Sequence, residues 1–313
     1  MSHNDFFGLR DTHTHTHTHT TNLSSSWECT TQNTGYGWMR TLVSPAFAVG
    51  LPGGYVLAVL LLTRAMRPYP SQKAFLKTWV QPVYNVVQIV VCAWMVWGLW
   101  PADPLGNPFS LNAPRSASVE FFVFVHYLTK YLDWCDTLFM ILSKNYHQVS
   151  FLQVFHHATI GMVWGLVLDQ GWGSGTVAWG AFINSVTHVL LYSHYLWTSL
   201  GYKNPLKKYL FGFQQAQFLS CIVHALLVSA SPTAETVYPK NLSYLQVMYH
   251  PVMLFLFLSQ LNWVPHWLIG IDAPVEEKKE KTATEMKKSL LVERAKAGAA
   301  DKTESTKKKK KVA

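Results

Sequence analysis

The sequence predicts an all-α integral membrane protein with seven transmembrane helices, a lumenal N-terminus and a cytosolic C-terminus. Only 14% of its 313 residues are charged, whereas soluble domains carry about 25%. Thirteen of the 26 Lys and Arg residues lie after residue 275, so the rest of the chain is more apolar than the overall composition. Seven apolar stretches approach the roughly 20 residues that a helix needs to cross a bilayer.

The predicted spans follow one another with short connections, none of which is long enough to form a separate domain. The spans are placed at 42–63, 79–100, 119–142, 151–169, 176–198, 209–231 and 242–264. Residues 41–268 are therefore expected to form one membrane domain. The flanking segments, 1–40 and 269–313, are polar or highly charged and are expected to be disordered. Residues 1–40 lack the apolar core of a signal peptide, so the first span is expected to direct insertion.

Basic residues alternate between loops, and cytosolic loops of membrane proteins are enriched in Lys and Arg. The loops after the first, third and fifth spans contain Arg64, Arg67, Lys73, Lys77, Lys144, Lys203, Lys207 and Lys208. The other loops contain only Arg115 and Lys240. This alternation predicts the orientation given above. Lys310 and Lys311, at positions −4 and −3 from the end, resemble a dilysine retrieval signal, so an endoplasmic-reticulum membrane location is expected.

Ionisable side chains lie inside neighbouring apolar stretches, where an unpaired polar group is costly. At about 100° per residue, the third stretch carries on one face, within about 60°, His126, Lys130, Asp133 and Thr137. Asp136 lies at the edge of this face. Lys130 and Asp133 can neutralise each other at i, i+3. The face is therefore either a structural ion pair that clamps helices or the wall of a functional site.

The fourth stretch contains an adjacent histidine pair, His156 and His157, with Gln153 on the same helical face. A single buried histidine is often only a packed core residue. A Gln-x-x-His-His cluster beside acidic residues on a neighbouring stretch instead favours a functional site.

The fifth and sixth stretches add two further polar faces. The fifth repeats polar side chains at i, i+4, i+8 and i+11, which are Asn184, His188, Tyr192 and Tyr195. The sixth places Gln214 and Gln217 at i, i+3. Aromatic residues alone are typical of cores or of membrane interfaces. Combined with the histidines and acids, they indicate a polar site inside a helix bundle.

These residue types also occur in metal centres and in proton relays. A di-iron site like that of membrane desaturases needs many more histidines in further boxes, and Gln153 is a poor iron ligand. A proton-coupled transporter would use the intramembrane Asp and His as a relay. The internal repeats that are common in transporters are not visible here. The residues alone therefore leave two hypotheses, an enzyme site and a transporter site inside a membrane bundle.

Four motifs resemble, in order, those of the ELO family of very-long-chain fatty acid elongases. Residues 130–137, KYLDWCDT, are similar to KxxExxDT with Asp133 in place of Glu, and QVFHH at 153–157 is similar to HxxHH. Residues 184–195 are similar to NxxxHxxMYxYY, with Leu for Met and His for the first Tyr of the final pair. Residues 211–217 are similar to TxxQxxQ, with Phe in place of Thr.

The departure at the histidine box is informative. Gln153 in place of the first His is similar to elongases of the QxxHH type, which act on polyunsaturated acyl chains. Glutamine can donate and accept hydrogen bonds but cannot act as a base. Acid–base chemistry would therefore fall to His156 and His157.

The resemblance implies a 3-oxoacyl-CoA synthase that condenses a long-chain, polyunsaturated acyl-CoA with malonyl-CoA, giving 3-ketoacyl-CoA, carbon dioxide and CoA. His156 or His188 would attack the thioester to form an acyl-imidazole. His157 would act as base or orienting group, and Asn184 or a histidine N–H would hold the enolate. The predicted catalytic set is completed by Lys130, Asp133, Asp136 and Gln153.

No metal or redox cofactor is expected for this reaction. Predicted substrate-binding residues are Tyr192, Tyr195, Gln214 and Gln217. Lys144, Lys207 and Lys208, on the predicted cytosolic side, either bind the CoA phosphates or are only the basic residues that are usual on that side. The expected partners are acyl-CoA, malonyl-CoA, the lipid bilayer and, by family analogy, the ketoacyl reductase, dehydratase and enoyl reductase of an elongation cycle. No nucleic acid is expected.

Overall fold

The computed structural model describes residues 37–258, apart from residue 206 and residues 232–237. Within this part of the chain the regular structure is helical, with no strand. The helices are α1 Gly37–Val43, α2 Pro45–Ala65, α3 Lys73–Gly98, α4 Ala117–Leu132, α5 Trp134–Leu142, α6 Phe151–Asp169, α7 Ala178–Ser199, α8 Lys207–Ala230 and α9 Lys240–Leu258. Short 3₁₀ helices at Tyr146–Gln148 and Gly175–Val177 precede α6 and α7.

Helices α2 to α9 overlap the seven predicted apolar stretches, as far as the described residues extend. Among these helices α2, α3, α6, α8 and α9 are long and apolar enough to cross a membrane. Helix α7 has 22 residues but carries many polar side chains, and so it falls below that apolarity. The predicted terminal segments, the end of the seventh stretch and the pair Lys310 and Lys311 lie outside the described residues.

The third predicted span is two helices rather than one, so the single helix expected over 119–142 was wrong in this detail. Helix α4 ends at Leu132 and α5 begins at Trp134. The amide of Asp136 donates to the Asp133 carbonyl at 3.1 Å, a bond between residues three apart. Such a bond is tighter than the four-residue spacing of an α-helix. The interruption therefore falls at the residue that carries a buried carboxylate.

Helix α3 begins before the predicted span and contains one widened π turn at Leu76–Val80. Pro82 lies just after that turn and has no amide hydrogen, so it cannot donate the usual α-helical bond. The extra helical length at the start of α3 brings Lys77 to the mouth of a cavity described below.

Packing divides the helices into an inner and an outer surface. Helix α3 packs most extensively against α7, α8 against α9, and α2 against α6. Large buried core residues include Phe122, Tyr127 and Leu168. Several apolar residues face outward and are each more than half exposed, such as Leu57, Val83, Leu226 and Phe255. An apolar outer surface of this extent is suited to lipid rather than to water.

The loops at one end of the helices are tied together by backbone contacts. The amide of Gln72 donates to the Leu142 carbonyl at 2.9 Å. The Lys144 amine donates to the carbonyls of Met66 and Arg67, at 2.7 and 2.9 Å. Because the last carbonyls of a helix lack intrahelical partners, Lys144 caps the C-terminal end of α2.

Candidate active site

The Asp133 carboxylate lies at the centre of a polar network between α3, α4 and α7. Its Oδ2 atom is 3.2 Å from Lys130 Nζ and 3.9 Å from His188 Nδ1. Its Oδ1 atom is 2.9 Å from Gln88 Nε2 and 3.0 Å from the Tyr192 hydroxyl. Only 5% of Asp133 is exposed. A charge buried to this degree depends on such partners, because it has lost its hydration.

Lys130 connects α4 with α7. Its amine donates to Asn184 Oδ1 at 2.8 Å and also forms the ion pair with Asp133. The ion pair expected from the sequence is therefore present and buried. Both partners of Lys130, Asp133 and Asn184, line a cavity.

A second carboxylate, Asp136, lies beside the first. The Tyr192 hydroxyl donates to Asp136 Oδ2 at 2.7 Å. Tyr192 is almost completely buried, and its ring makes an edge contact with His188 at a centroid distance of 5.6 Å. This tyrosine therefore joins the acidic pair of α4 and α5 to the histidine of α7.

His157 is held on both sides. Its Nε2 atom is 3.0 Å from Gln153 Nε2, and its carbonyl accepts a hydrogen bond from Trp134 Nε1 at 3.0 Å. Because the Gln153 amide nitrogen can only donate, His157 Nε2 is the acceptor in this contact. The Nδ1 atom of the same ring is buried without a partner among the described residues. The Trp134 ring is in turn stacked on Tyr55 at 4.6 Å. His157 is thus fixed in orientation.

His156 differs from its neighbour in its hydrogen bonding. The Nδ1 atoms of both histidines are buried without a partner among the described residues, but only His157 is hydrogen-bonded through its other ring nitrogen, to Gln153. Helix α6 begins at the N-cap Ser150, whose hydroxyl accepts from the Gln153 amide at 3.2 Å. One turn later the helix presents His156 to two cavities. An unpartnered imidazole at a cavity wall is available to a ligand.

The larger cavity has a volume of about 700 Å³. It is lined by most of the predicted site residues, namely Asp133, Asp136, Gln153, His156, His157, Asn184, His188, Tyr192, Tyr195, Gln214 and Gln217. At one end it is lined by Lys77, Asn145, Gln148 and Ser199. These residues lie near the start of α3, between α5 and α6, and at the end of α7. The cavity therefore extends to the end of the bundle where the basic loops lie.

A smaller cavity of about 60 Å³ adjoins the first. The two cavities share His156, Asn184, Gln217 and Phe218. The smaller one is lined mainly by apolar side chains, including Val163, Trp164, Val167, Leu242 and Leu245. These residues lie in the second half of α6 and the first turns of α9, so this cavity extends toward the opposite end of the bundle.

None of the lysines predicted as site residues lines either cavity. Lys130 is buried outside the cavity wall and contacts two lining residues, Asp133 and Asn184. Lys144 caps α2, while Lys207 and Lys208 are exposed on the first turn of α8. The lysine that does line the larger cavity is Lys77. A phosphate-binding role for the three outer lysines stays a prediction.

Sequence reasoning missed the contribution of α3. Gln88, Tyr84 and Asn85 are buried on this helix; Gln88 and Tyr84 join the network, and Tyr84 and Asn85 line the larger cavity. The available signal was the spacing of these polar residues within an apolar stretch, at i, i+1 and i+4. This spacing puts the first and last of them on one helical face.

Membrane-length helices that enclose a histidine- and carboxylate-lined cavity define the class as a multi-pass membrane protein with an enzyme-like site. Comparison with known proteins then gives the family. Residues 38–261 match the family described as "ELO: GNS1/SUR4 family". The chain belongs to this family of fatty acid elongases.

Individual relatives agree with the family match. The chain is 42% identical over 234 residues to "Fatty acid elongase 5" of Trypanosoma cruzi (strain CL Brener), covering 74% of this chain and 90% of the relative. It is 40% identical over 220 residues to "Fatty acid elongase 5" of Leishmania major, covering 70% and 86%. It is 43% identical over 206 residues to "Fatty acid elongase 4" of Trypanosoma brucei brucei (strain 927/4 GUTat10.1), covering 66% and 79%. This membership does not favour the transporter hypothesis.

Proposed function

We propose that the protein condenses a long-chain acyl-CoA with malonyl-CoA, releasing carbon dioxide and CoA and forming 3-ketoacyl-CoA. One observation carries this proposal: the unpartnered imidazole of His156 lies where a polar cavity meets an apolar one. A thioester needs this arrangement, since its acyl chain is apolar and its CoA moiety is polar.

In the first step, a His156 nitrogen attacks the thioester carbonyl carbon and the carbon–sulfur bond breaks. The acyl group then resides on the imidazole, and CoA leaves as a thiolate that takes up a proton. A buried site protects this intermediate, because acyl-imidazoles hydrolyse readily in water.

In the second step, malonyl-CoA loses carbon dioxide, and the electron pair of the broken carbon–carbon bond becomes an enolate. The enolate carbon attacks the acyl carbonyl and the carbon–nitrogen bond breaks, which restores His156. Overall, acyl-CoA, malonyl-CoA and one proton give 3-ketoacyl-CoA, CoA and carbon dioxide. Neither a metal nor a redox cofactor enters this balance.

The neighbouring residues have complementary proposed roles. His188, with Asp133 near its Nδ1 atom, is suited to proton transfer. Asn184 can stabilise the enolate through its amide N–H, since its Oδ1 atom accepts from Lys130. His157, whose ring is held by Gln153 through Nε2, is suited to orienting the thioester carbonyl.

The two cavities suggest how the substrates are bound. The larger cavity would hold the CoA moieties, with Tyr195, Gln214 and Gln217 as contacts and Lys77 at its mouth. The smaller apolar cavity would be the entrance to the acyl-chain site, and its volume of about 60 Å³ must widen to hold a long chain. Polyunsaturated chains are proposed as substrates on the basis of the QxxHH box alone.

The topology and location belong to the same proposal. We propose seven spans, formed by α2, α3, α4 with α5, α6, α7, α8 and α9, with a lumenal N-terminus and a cytosolic tail. The basic loops support this orientation. The endoplasmic-reticulum membrane is proposed from the signal at Lys310 and Lys311, and the other enzymes of an elongation cycle are proposed partners. A lumenal N-terminus predicts glycosylation at the Asn22 sequon, seen as a mass shift on deglycosylation.

The function can be tested with microsomes that contain the protein and with matched microsomes that lack it. Both receive labelled malonyl-CoA and a panel of acyl-CoA substrates that differ in length and unsaturation. We expect labelled 3-ketoacyl-CoA only in the first sample, with polyunsaturated substrates preferred. No labelled condensation product from any substrate would contradict the proposal.

A further inference from the structure

Gln88 is a buried glutamine on α3 that lies outside all four elongase-like motifs. Its side chain is completely buried in a helix that is otherwise mostly apolar. A buried amide is costly unless it is hydrogen-bonded. Its presence at this position therefore calls for a partner that benefits from it.

The Gln88 amide nitrogen has three oxygen atoms within reach. It lies 2.8 Å from the Tyr84 hydroxyl, 2.9 Å from Asp133 Oδ1 and 3.2 Å from the Tyr192 hydroxyl. An amide nitrogen has two hydrogens, so the two shorter contacts use both. Tyr84 can accept one of them because its own hydroxyl donates to the Leu132 carbonyl at 3.2 Å.

The Tyr192 hydroxyl donates its hydrogen to Asp136 and therefore does not replace Gln88 as the donor to Asp133 Oδ1. Tyr192 has one hydrogen, and its shorter acidic contact is Asp136 Oδ2 at 2.7 Å, against 3.0 Å to Asp133 Oδ1. Gln88 is then the donor to Asp133 Oδ1. The other carboxylate oxygen, Oδ2, is left for Lys130 and His188.

We infer that Gln88 is a positioning residue, which holds the Asp133 carboxylate so that its second oxygen faces Lys130 and His188. This inference rests on the proposed condensing function. Gln88 does not line either cavity; it acts through Asp133. Its loss should therefore slow the chemical step without weakening substrate binding.

The spacing between α3 and Asp133 supports a second consequence. A glutamate at 133 would be one methylene longer and would push its carboxylate toward Gln88, at a distance that is already 2.9 Å. Shortening residue 88 by one methylene would restore the room. Lengthening residue 133 and shortening residue 88 together should therefore be tolerated better than lengthening residue 133 alone.

The test uses the full chain in microsomes, and it compares the wild type with Gln88→Met, which keeps the side-chain length but cannot donate. We expect kcat to fall about tenfold or more, as for the loss of a hydrogen bond to a charged group, with KM for both CoA substrates within about twofold. Cys92→Ala, one turn further on the buried face of α3, is the matched packing control and should leave both constants near wild type.

Other results would overturn the inference. An unchanged kcat in Gln88→Met, a rise in KM alone, or an equal fall in Cys92→Ala would each do so. If the wild type itself forms no product, the proposed function fails and the inference fails with it. A wild type that is active beside an unaffected Gln88→Met variant contradicts the positioning role alone.

The length exchange supplies an independent readout if Gln88→Met does not accumulate. Asp133→Glu is expected to lower kcat, and Asp133→Glu combined with Gln88→Asn is expected to recover several-fold over Asp133→Glu alone. A double variant no more active than Asp133→Glu would contradict the positioning role.

Discussion

The two adjoining cavities differ in almost every respect except their shared wall. The larger one contains the histidines and carboxylates and extends to the end where the basic loops lie. The smaller one is mostly apolar and extends the other way. His156 belongs to both. The contrast suggests that bond-making and recognition of the acyl chain are divided between the two cavities, so substitutions on each side should have separable effects.

The largest effect is expected at the shared wall. His156→Ala should reduce elongation by at least about 10³-fold, because the proposed nucleophile is lost. The assay is product formation from labelled malonyl-CoA. His126→Phe is the control for folding, because His126 is a still more deeply buried histidine that packs on Trp164 and lines neither cavity. Comparable losses in both variants would mean that His156 matters only for folding.

A smaller effect is expected within the polar cavity. Asp133→Asn keeps the side-chain shape but removes the charge beside His188, so kcat should fall by roughly 10²-fold, the lower end of the effect of impaired proton transfer. The preferred acyl chain length should not change. Asp103→Asn, in an exposed loop, serves as the control carboxylate. A change in chain-length preference with an intact kcat would contradict the division between cavities.

The apolar cavity should control chain length. Gly180 lines it, and a Cβ atom there would lie 3.5 Å from the Trp164 ring, an ordinary contact. Gly180→Leu should therefore fold and place its side chain in the cavity. We expect kcat/KM for the longest substrate to fall roughly tenfold or more relative to the shortest.

Chromatography of products from an acyl-CoA panel measures this shift. The matched control is Gly212→Leu on α8, where no atom lies within 4 Å of the added Cβ position. If Gly180→Leu lowered the rate for all chain lengths equally, the smaller cavity would not be the site of the acyl chain.

The smallest effect is expected at the mouth of the larger cavity. Lys77→Ala should raise KM for the CoA substrates about two- to fivefold at low salt and less at high salt, as for an exposed charge. Lys144→Ala should leave KM unchanged and lower the melting temperature, because Lys144 caps α2. A raised KM in Lys144→Ala together with an unchanged KM in Lys77→Ala would instead assign phosphate binding to Lys144.

The helical fold could be predicted because apolar length acts over whole helices. The orientation, which rests on the alternation of loop charge, stays a prediction. The break between α4 and α5 could not be predicted, because it depends on one tightened bond from the Asp136 amide to the Asp133 carbonyl. Nothing in the local sequence distinguishes this turn, since no Pro or Gly lies there. The π turn of α3 is different, because Pro82 gave a signal that could have been used.

The predicted catalytic residues come together because each stretch repeats its polar groups on one face, and all of them but Lys130 line the larger cavity. The lysines were harder to place. Lys and Arg are enriched in cytosolic loops in general, so their presence there does not distinguish a helix cap such as Lys144 from a cavity residue such as Lys77. Gln88 was missed for a related reason, because its partner Asp133 lies 45 residues away in sequence.

The proposed mechanism depends most on acylation of His156. The direct measurement is mass spectrometry of peptides from the purified full chain after incubation with acyl-CoA in the absence of malonyl-CoA. We predict an acyl group on His156, released CoA in equal amount, and loss of the adduct when malonyl-CoA is added. An acyl group on His188 instead, or no adduct in a preparation that elongates normally, would contradict the account.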